Sequence, residues 1–216
     1  MIQGLWTTGY GSIDRPSDED VYFLPQRPYC AIGSLKDQLL YPSSDEINAD
    51  DYPEGHRLSR SHLLRKSLTD DDLLDILNEV DLSELASRAG DGDRVKGLYT
   101  VMDWSNTLSL GEQQRLAFGR LLVNSPRFVI LDEATSALDM IAEAKMYKLL
   151  QNKAQKSLVN GKGLSRAGMT YVSVGHRPSL VIYHDTRLRL KGDDGFSLES
   201  IEKSSADTNP MGVSNM

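Results

Sequence analysis

Apolar positions follow two periods along this chain, and the two alternate. Val21-Tyr-Phe-Leu24 is a short apolar run halted by Pro25, the pattern of a buried strand. Gly33 to Pro42 reads as the start of a helical connector, and Ser43 to Ser61, rich in acids, serine and turn formers, as an exposed excursion. Leu73, Leu77 and Val80 then recur at helical spacing behind Thr69 and Asp72, a capping pair, which predicts a helix near Asp70 to Val80. Its leading acids suit the positive amino end. Gly90-Asp-Gly-Asp93 breaks the pattern with a turn.

Ser109 is placed to cap a second helix through Leu116, Ala117, Leu121 and Leu122, which Asn124-Ser-Pro126 ends. Phe128-Val-Ile-Leu131 is apolar throughout, as expected of a strand at the centre of a parallel sheet. Ala142 to Leu158 forms the next helix, with Ala142, Met146, Leu149 and Leu150 on its apolar side, and Gly161 to Gly168 a loop. Tyr171-Val-Ser-Val174 returns to the sheet. Alternation in Thr186 to Leu190, the turn Gly192-Asp-Asp-Gly195 and Phe196 to Leu198 predict a terminal hairpin. Met1 to Trp6 reads as the end of a helix or a connector, Thr7 to Ser12 as turns, and the polar segment 203–216 as a flexible tail. Strands alternating with helices define an α/β fold.

Composition narrows the chemistry. With 216 residues, 39% hydrophobic and 25% charged, the chain is long enough for one globular domain. Its 31 acids against 24 Lys and Arg give a net charge of −7, and basic runs interleaved with aromatics are missing, so no nucleic acid is expected as a partner. Cys30 is the single cysteine, which excludes an internal disulfide. The four histidines do not have metal-ligand spacing. Neither a bilayer-length apolar stretch nor a secretory signal pattern occurs in the sequence.

Six residues at four places along the chain carry candidate chemistry. Asp132 and Glu133 leave an apolar strand at its carboxyl edge, where open α/β sheets bind ligands. There the first carboxylate can hold Mg and the second can orient or deprotonate an attacking water. His176 follows the next strand and can hydrogen-bond a terminal phosphate, although a histidine at such a place is by itself more often a surface or packing residue. Gln26 follows the first strand, and its amide can both accept from Mg-bound water and donate to a phosphate. Ser109 and Gly111 open a helix whose free N–H groups suit an anion, against the plainer reading of an ordinary cap.

Taken in order, these segments resemble the ATP-binding domain of an ABC transporter. Leu108-Ser-Leu-Gly-Glu112 is similar to the signature motif, Phe128 to Glu133 to the Walker B motif, Ser136-Ala-Leu-Asp139 to the D-loop, and Gly175-His176 to the switch region. Leu24-Pro-Gln-Arg-Pro-Tyr29, Gly33-Ser-Leu-Lys-Asp37, Tyr41-Pro42 and Ser173-Val-Gly-His-Arg177 narrow the resemblance to the subfamily D-like group, which includes peroxisomal fatty acyl-CoA transporters and bacterial and plastid relatives. Leu110 and Glu112 depart from the commonest Leu-Ser-Gly-Gly-Gln signature.

The resemblance implies a partial ABC-type nucleotide-binding domain over residues 1–202, with a mainly parallel sheet, a helical signature region at about 43–123 and a terminal hairpin. It also implies ATP and Mg as cofactors. Gln26 and Asp132 would serve the metal, Glu133 would polarise water, His176 would meet the γ-phosphate and Asp139 would communicate across a dimer. Ser109, Gly111 and Glu112 would contact ATP held by a second ATP-binding domain in a head-to-tail dimer. The transmembrane domain of the same transporter is the other partner, which makes the location membrane-associated with a soluble face.

A Gly-x-x-x-x-Gly-Lys-Ser/Thr loop occurs nowhere in the sequence. The expectation is therefore a fragment of a longer transporter that hydrolyses ATP weakly or not at all alone. The competing expectations are a non-enzymatic module that lends its signature face to an intact domain, and a DNA-repair ATPase, which the acidic balance and the lack of long coiled coils disfavour.

Overall fold

The computed structural model describes Ser12 and residues 14–41, 67–159, 168–191 and 195–202. The excursion at Ser43 to Ser61, the opening connector, most of the 161–168 loop, the tip of the 192–195 turn and the 203–216 tail lie outside these. Packing divides the chain into two units, Met1–Val174 and Gly175–Met216.

In the first unit, β1 (Val21–Leu24) is followed by β2 (Ile32–Ser34) and α1 (Leu35–Leu40). Next come α2 (Asp70–Glu79), α3 (Ser83–Ala89) and α4 (Arg94–Tyr99). The chain continues through β3 (Val101–Asp103), α5 (Trp104–Thr107) and α6 (Leu110–Asn124). It closes with β4 (Phe128–Asp132), α7 (Met140–Val159) and β5 (Thr170–Val174).

A parallel sheet in the order β1-β4-β5 carries the site. β4 lies at its centre, as its apolar run predicts, and Val129 and Leu131 are fully buried. The registers Leu24↔Leu131 and Asp132↔Val174 bring the carboxyl ends of all three strands to one edge. Gln26, Asp132 and Glu133 leave from that edge.

Three helices start with the same local device. Ser34 with Asp37, Thr69 with Asp72 and Ser109 with Glu112 are reciprocal capping boxes, in which each side chain satisfies an orphan N–H of the other residue. The helical connector expected from Gly33 begins two residues later. Gly33 and Ser34 are extended because they pair with Met102 and Val101 of β3, a contact across the chain that local periodicity does not register. Fully buried Trp104 pins this ribbon by donating from its indole Nε1 to the Gly33 carbonyl at 2.8 Å. α3 and α4 pack closely at Gly97, where a Cβ would lie 1.8 Å from the Ala86 carbonyl oxygen, so only glycine fits.

α6 is the spine of the unit. Leu116, Ala117, Phe118, Leu121, Leu122 and Val123 are buried along it, and it ends at Ser125, which takes a left-handed φ of 43° before Pro126. Its buried Arg120 donates from Nε to the Gln38 carbonyl at 2.5 Å, from Nη1 to the Tyr29 carbonyl and from Nη2 to Gln38 Oε1 at 3.0 Å.

The second unit holds a 3-10 helix at Pro178–Tyr183 and the predicted hairpin, β6 (Thr186–Leu190) with β7 (Phe196–Ser200), in the register Leu188↔Leu198. Leu180 is buried, and His184 Nδ1 lies 2.8 Å from the Leu180 carbonyl, a structural role. Among the described residues, no helix is long and apolar enough to cross a membrane.

Candidate functional site

The turn after β4 is built under backbone strain. Glu133 has φ 47°, a left-handed value that glutamate seldom adopts. Two backbone bonds hold it there. Its N–H donates to the Val174 carbonyl of β5 at 2.9 Å, and its carbonyl accepts from Ser136 at 3.0 Å. Strand pairing therefore continues one residue past Asp132 on one side while the chain turns sharply on the other.

The side chain of Glu133 is held from the neighbouring strand exit. Gln26 Nε2 donates to its Oε2 at 2.9 Å. The amide of Gln26 thereby spends its donor on the carboxylate and leaves Oε1, a hard oxygen, available to a cation. Asp132, half-buried at the end of β4, offers a second hard oxygen donor from the same sheet edge. These donors suit Mg, which takes one or two protein oxygens and keeps several waters.

The first turn of α6 forms the second part. Ser109 Oγ accepts from the Glu112 N–H at 3.3 Å, and Glu112 Oε2 accepts from both the N–H and the hydroxyl of Ser109 at 2.9 Å. The other Glu112 oxygen pairs with Arg88 of α3 at 2.9 Å. Partial burial, the largest single influence on Glu112, pushes its carboxyl up, but the Ser109 N–H, Arg88 and the Ser109 hydroxyl together outweigh it and hold the group below the usual glutamate range. The Glu112 carboxylate is thus ion-paired and tied down. Gly111 meets the turn after β4, since a Cβ there would lie 3.2 Å from the Ala137 carbonyl.

Asp139, assigned to communication by resemblance, accepts at Oδ1 from the N–H groups of Ile141 and Ala142 at 2.9 and 2.8 Å and so starts α7. His176 belongs to the second unit, where it is exposed in the extended segment between Gly175 and the 3-10 helix. Within the first unit the structure joins Gln26 to Glu133, and Ser109 to Glu112.

Sequence reasoning counted Gln114 only as part of the run that follows Ser109, with no role of its own, and passed over Arg88. Gln114 is fully buried in the body of α6, where polar side chains are uncommon, and it contacts both Gln26 and the turn after β4. A polar residue on an otherwise buried helix face is a signal the sequence does contain. Arg88 carries no such signal, because only the fold brings α3 to Glu112.

Comparison with known proteins gives the family and the fold. Residues 38–136 match the ABC transporter family. An uncharacterized ABC transporter ATP-binding protein of Synechocystis sp. is 40% identical over 200 residues, covering 93% of this chain and 24% of that protein. ABC transporter D family member 2, chloroplastic, of Arabidopsis thaliana is 38% identical over 223 residues, covering 92% and 29%. The lysosomal cobalamin transporter ABCD4 of Mus musculus is 36% identical over 207 residues, covering 94% and 28%. The chain thus spans roughly a quarter of the length of these relatives. In fold it is similar to a bacterial Atm1-family ABC exporter with ATP bound, at a TM-score of 0.52 and 19% identity, over 79% of this chain and 23% of that one.

Proposed function

From the premise that this chain belongs to the ATP-binding domains of ABC transporters and is related to their D subfamily, we propose that it serves the ATP-hydrolysing site that drives such a transporter. The observation that carries this reading is the Gln26–Glu133 bond at the carboxyl edge of adjacent parallel strands. A strained glutamate held by an amide from a second loop is a device for placing one carboxylate, and packing alone gives no reason for it.

In this reading Asp132 and Gln26 Oε1 would hold the Mg, whose charge offsets that of the phosphates. Glu133 orients the attacking water and takes its proton. Ser109, Gly111 and Glu112 present the α6 amino end to ATP carried by a second ATP-binding domain in a head-to-tail dimer, and His176 meets the γ-phosphate. Transport is coupled through a transmembrane domain, with a fatty acyl-CoA or another lipid-related molecule as cargo on the strength of the subfamily likeness. The mouse relative is a cobalamin transporter, so cargo differs among these relatives, and in this reading the membrane helices select it and not these residues.

The sequence contains no Gly-x-x-x-x-Gly-Lys-Ser/Thr loop, so the N–H cradle and lysine that grip the β-phosphate must come from elsewhere. Hydrolysis by this chain alone is therefore weak or absent. A second reading, a non-enzymatic module that lends its signature face, is favoured by the self-contained Ser109–Glu112 cap.

The test mixes this chain with a D-family ATP-binding domain that has its own phosphate-gripping loop but a disabled signature serine. The expected result is no turnover by this chain alone and restored turnover in the mixture, abolished by Ser109→Arg in this chain. Lack of both complex formation on gel filtration and stimulation overturns the proposal. Robust turnover by this chain alone, lost in Glu133→Gln, overturns the predicted inactivity.

A further inference from the structure

Gln114 is the one buried polar side chain on α6 that touches two loops of the candidate site. It is fully buried, and its amide is used on both sides. Nε2 donates to the Gln26 carbonyl at 2.8 Å and to Ser136 Oγ at 3.2 Å, while Oε1 accepts from the Ala137 N–H at 3.0 Å. Gln26 in turn donates to Glu133. The bonds form a closed circuit: the Glu133 carboxylate to the Gln26 side chain, the Gln26 carbonyl to the Gln114 amide, and the Gln114 amide to the turn that Glu133 begins.

Chemistry limits what else can occupy this position. Two donor hydrogens and an acceptor oxygen in one plane belong to a carboxamide. Glutamate loses the donors, leucine loses all three bonds, and asparagine has the groups but is one methylene shorter. Burial raises the cost of each loss, because water cannot replace a partner inside the unit. A polar group that only started or stopped a helix would contact its own turn, whereas Gln114 contacts residues 88 and 22 positions away.

We propose that Gln114 is a positioning residue that joins the Gln26 loop, the Ser136–Ala137 turn and α6 into one mechanical element. The capped end of α6 and the Glu133 carboxylate then move together, so a ligand meeting Ser109 is felt at Glu133. The geometric statement stands on the bonds, while its catalytic consequence rests on the function proposed above.

Each loop has its own reporter. Cys30, the single thiol of the chain, follows the Gln26 loop and is half-buried, so its alkylation rate reads that loop. The backbone N–H groups of Ser136 and Leu138, which donate to Glu133 and Thr135 within the turn, read the other by hydrogen exchange. In the full chain, Gln114→Leu is expected to raise both Cys30 alkylation and exchange at Ser136, Ala137 and Leu138 by roughly tenfold or more. Leu77→Ala, which hollows the buried face of α2, serves as the control for general loosening and should leave the two reporters near wild type.

A response in only one loop, or equal responses in the control, overturns the proposal. If circular dichroism shows that Gln114→Leu does not fold, Gln114→Asn is judged by the same two rates. In the mixed-domain assay the proposal adds a fall in kcat for Gln114→Leu with KM for ATP within about twofold of wild type. Should the unmodified chain stimulate no turnover, the functional reading fails while the paired-loop measurement still decides the role of Gln114.

Discussion

The first turn of α6 satisfies itself within four residues, whereas the turn after β4 depends on partners far along the chain. Ser109 and Glu112 cap each other across three positions, and Arg88 adds an exposed ion pair. Glu133 meets Gln26 across 107 positions, and the turn it opens is held by Gln114 across 22 and 23. The first region is unstrained. The second includes a glutamate at positive φ. A self-contained cap keeps its shape while the rest of the domain breathes, so it can be offered to a partner. A site assembled from distant residues is only as rigid as the core beneath it, which is why a buried residue such as Gln114 bears on it.

The comparison breaks most completely at the shared support. Leu116 is fully buried about two turns along α6 from the cap and two residues past Gln114. Leu116→Ala is expected to cost about 2–5 kcal/mol, the range for a leucine cavity. Chemical denaturation reads the loss. Below about 1 kcal/mol, α6 is not the common support and the two regions are independent.

Ser109→Ala separates the regions at a smaller cost. Loss of the cap is expected to destabilise the chain by about 1 kcal/mol and to leave Cys30 alkylation unchanged, because the bond from α6 to the Gln26 loop is made by Gln114, which this substitution leaves in place. The acid limb of stability should also respond. Glu112 is held below the usual glutamate range in the folded chain, so its contribution is full above the unfolded value and is lost as pH falls through the folded one. With the Ser109 hydroxyl removed, the folded value rises towards the unfolded one and less stability is lost in acid. Parallel acid curves for wild type and variant would show that the hydroxyl contributes nothing to holding Glu112.

The contrast between local and distant partners also sets what the sequence disclosed. The Thr69/Asp72 box, the Ser109 cap, the α2 and α6 stripes and the apolar run of β4 are written in adjacent residues, and the structure places them within a residue or two of expectation. The β2–β3 ribbon and the short helices α3 to α5 escaped because elements of three to seven residues complete too few periods to show a pattern. At the site, Gln26, Asp132 and Glu133 were legible as residue types at strand exits. The Gln26–Glu133 bond, the positive φ and the Gln114 circuit were not, since each depends on sheet register and helix packing.

The smallest stability effect offers the sharpest reading of the strained turn. At Glu133 the left-handed backbone costs an ordinary side chain about 1 kcal/mol, which glycine avoids. Against that gain, glycine loses more backbone entropy on folding, about 0.4–1 kcal/mol, and the exposed bond from Gln26 disappears. The terms nearly cancel, so Glu133→Gly is expected to change unfolding free energy by less than about 1 kcal/mol. When the phosphate-gripping loop of a D-family domain is joined ahead of this chain so that its own site can hold ATP, turnover should nevertheless fall to background in Glu133→Gly, because glycine has no carboxylate to orient or deprotonate water. A variant that folds as well as wild type but supports no turnover would mean that the strain is kept for the carboxylate. A loss of several kcal/mol would instead make Glu133 a structural residue whose bond from Gln26 holds the edge of the sheet, and the catalytic assignment would have to move.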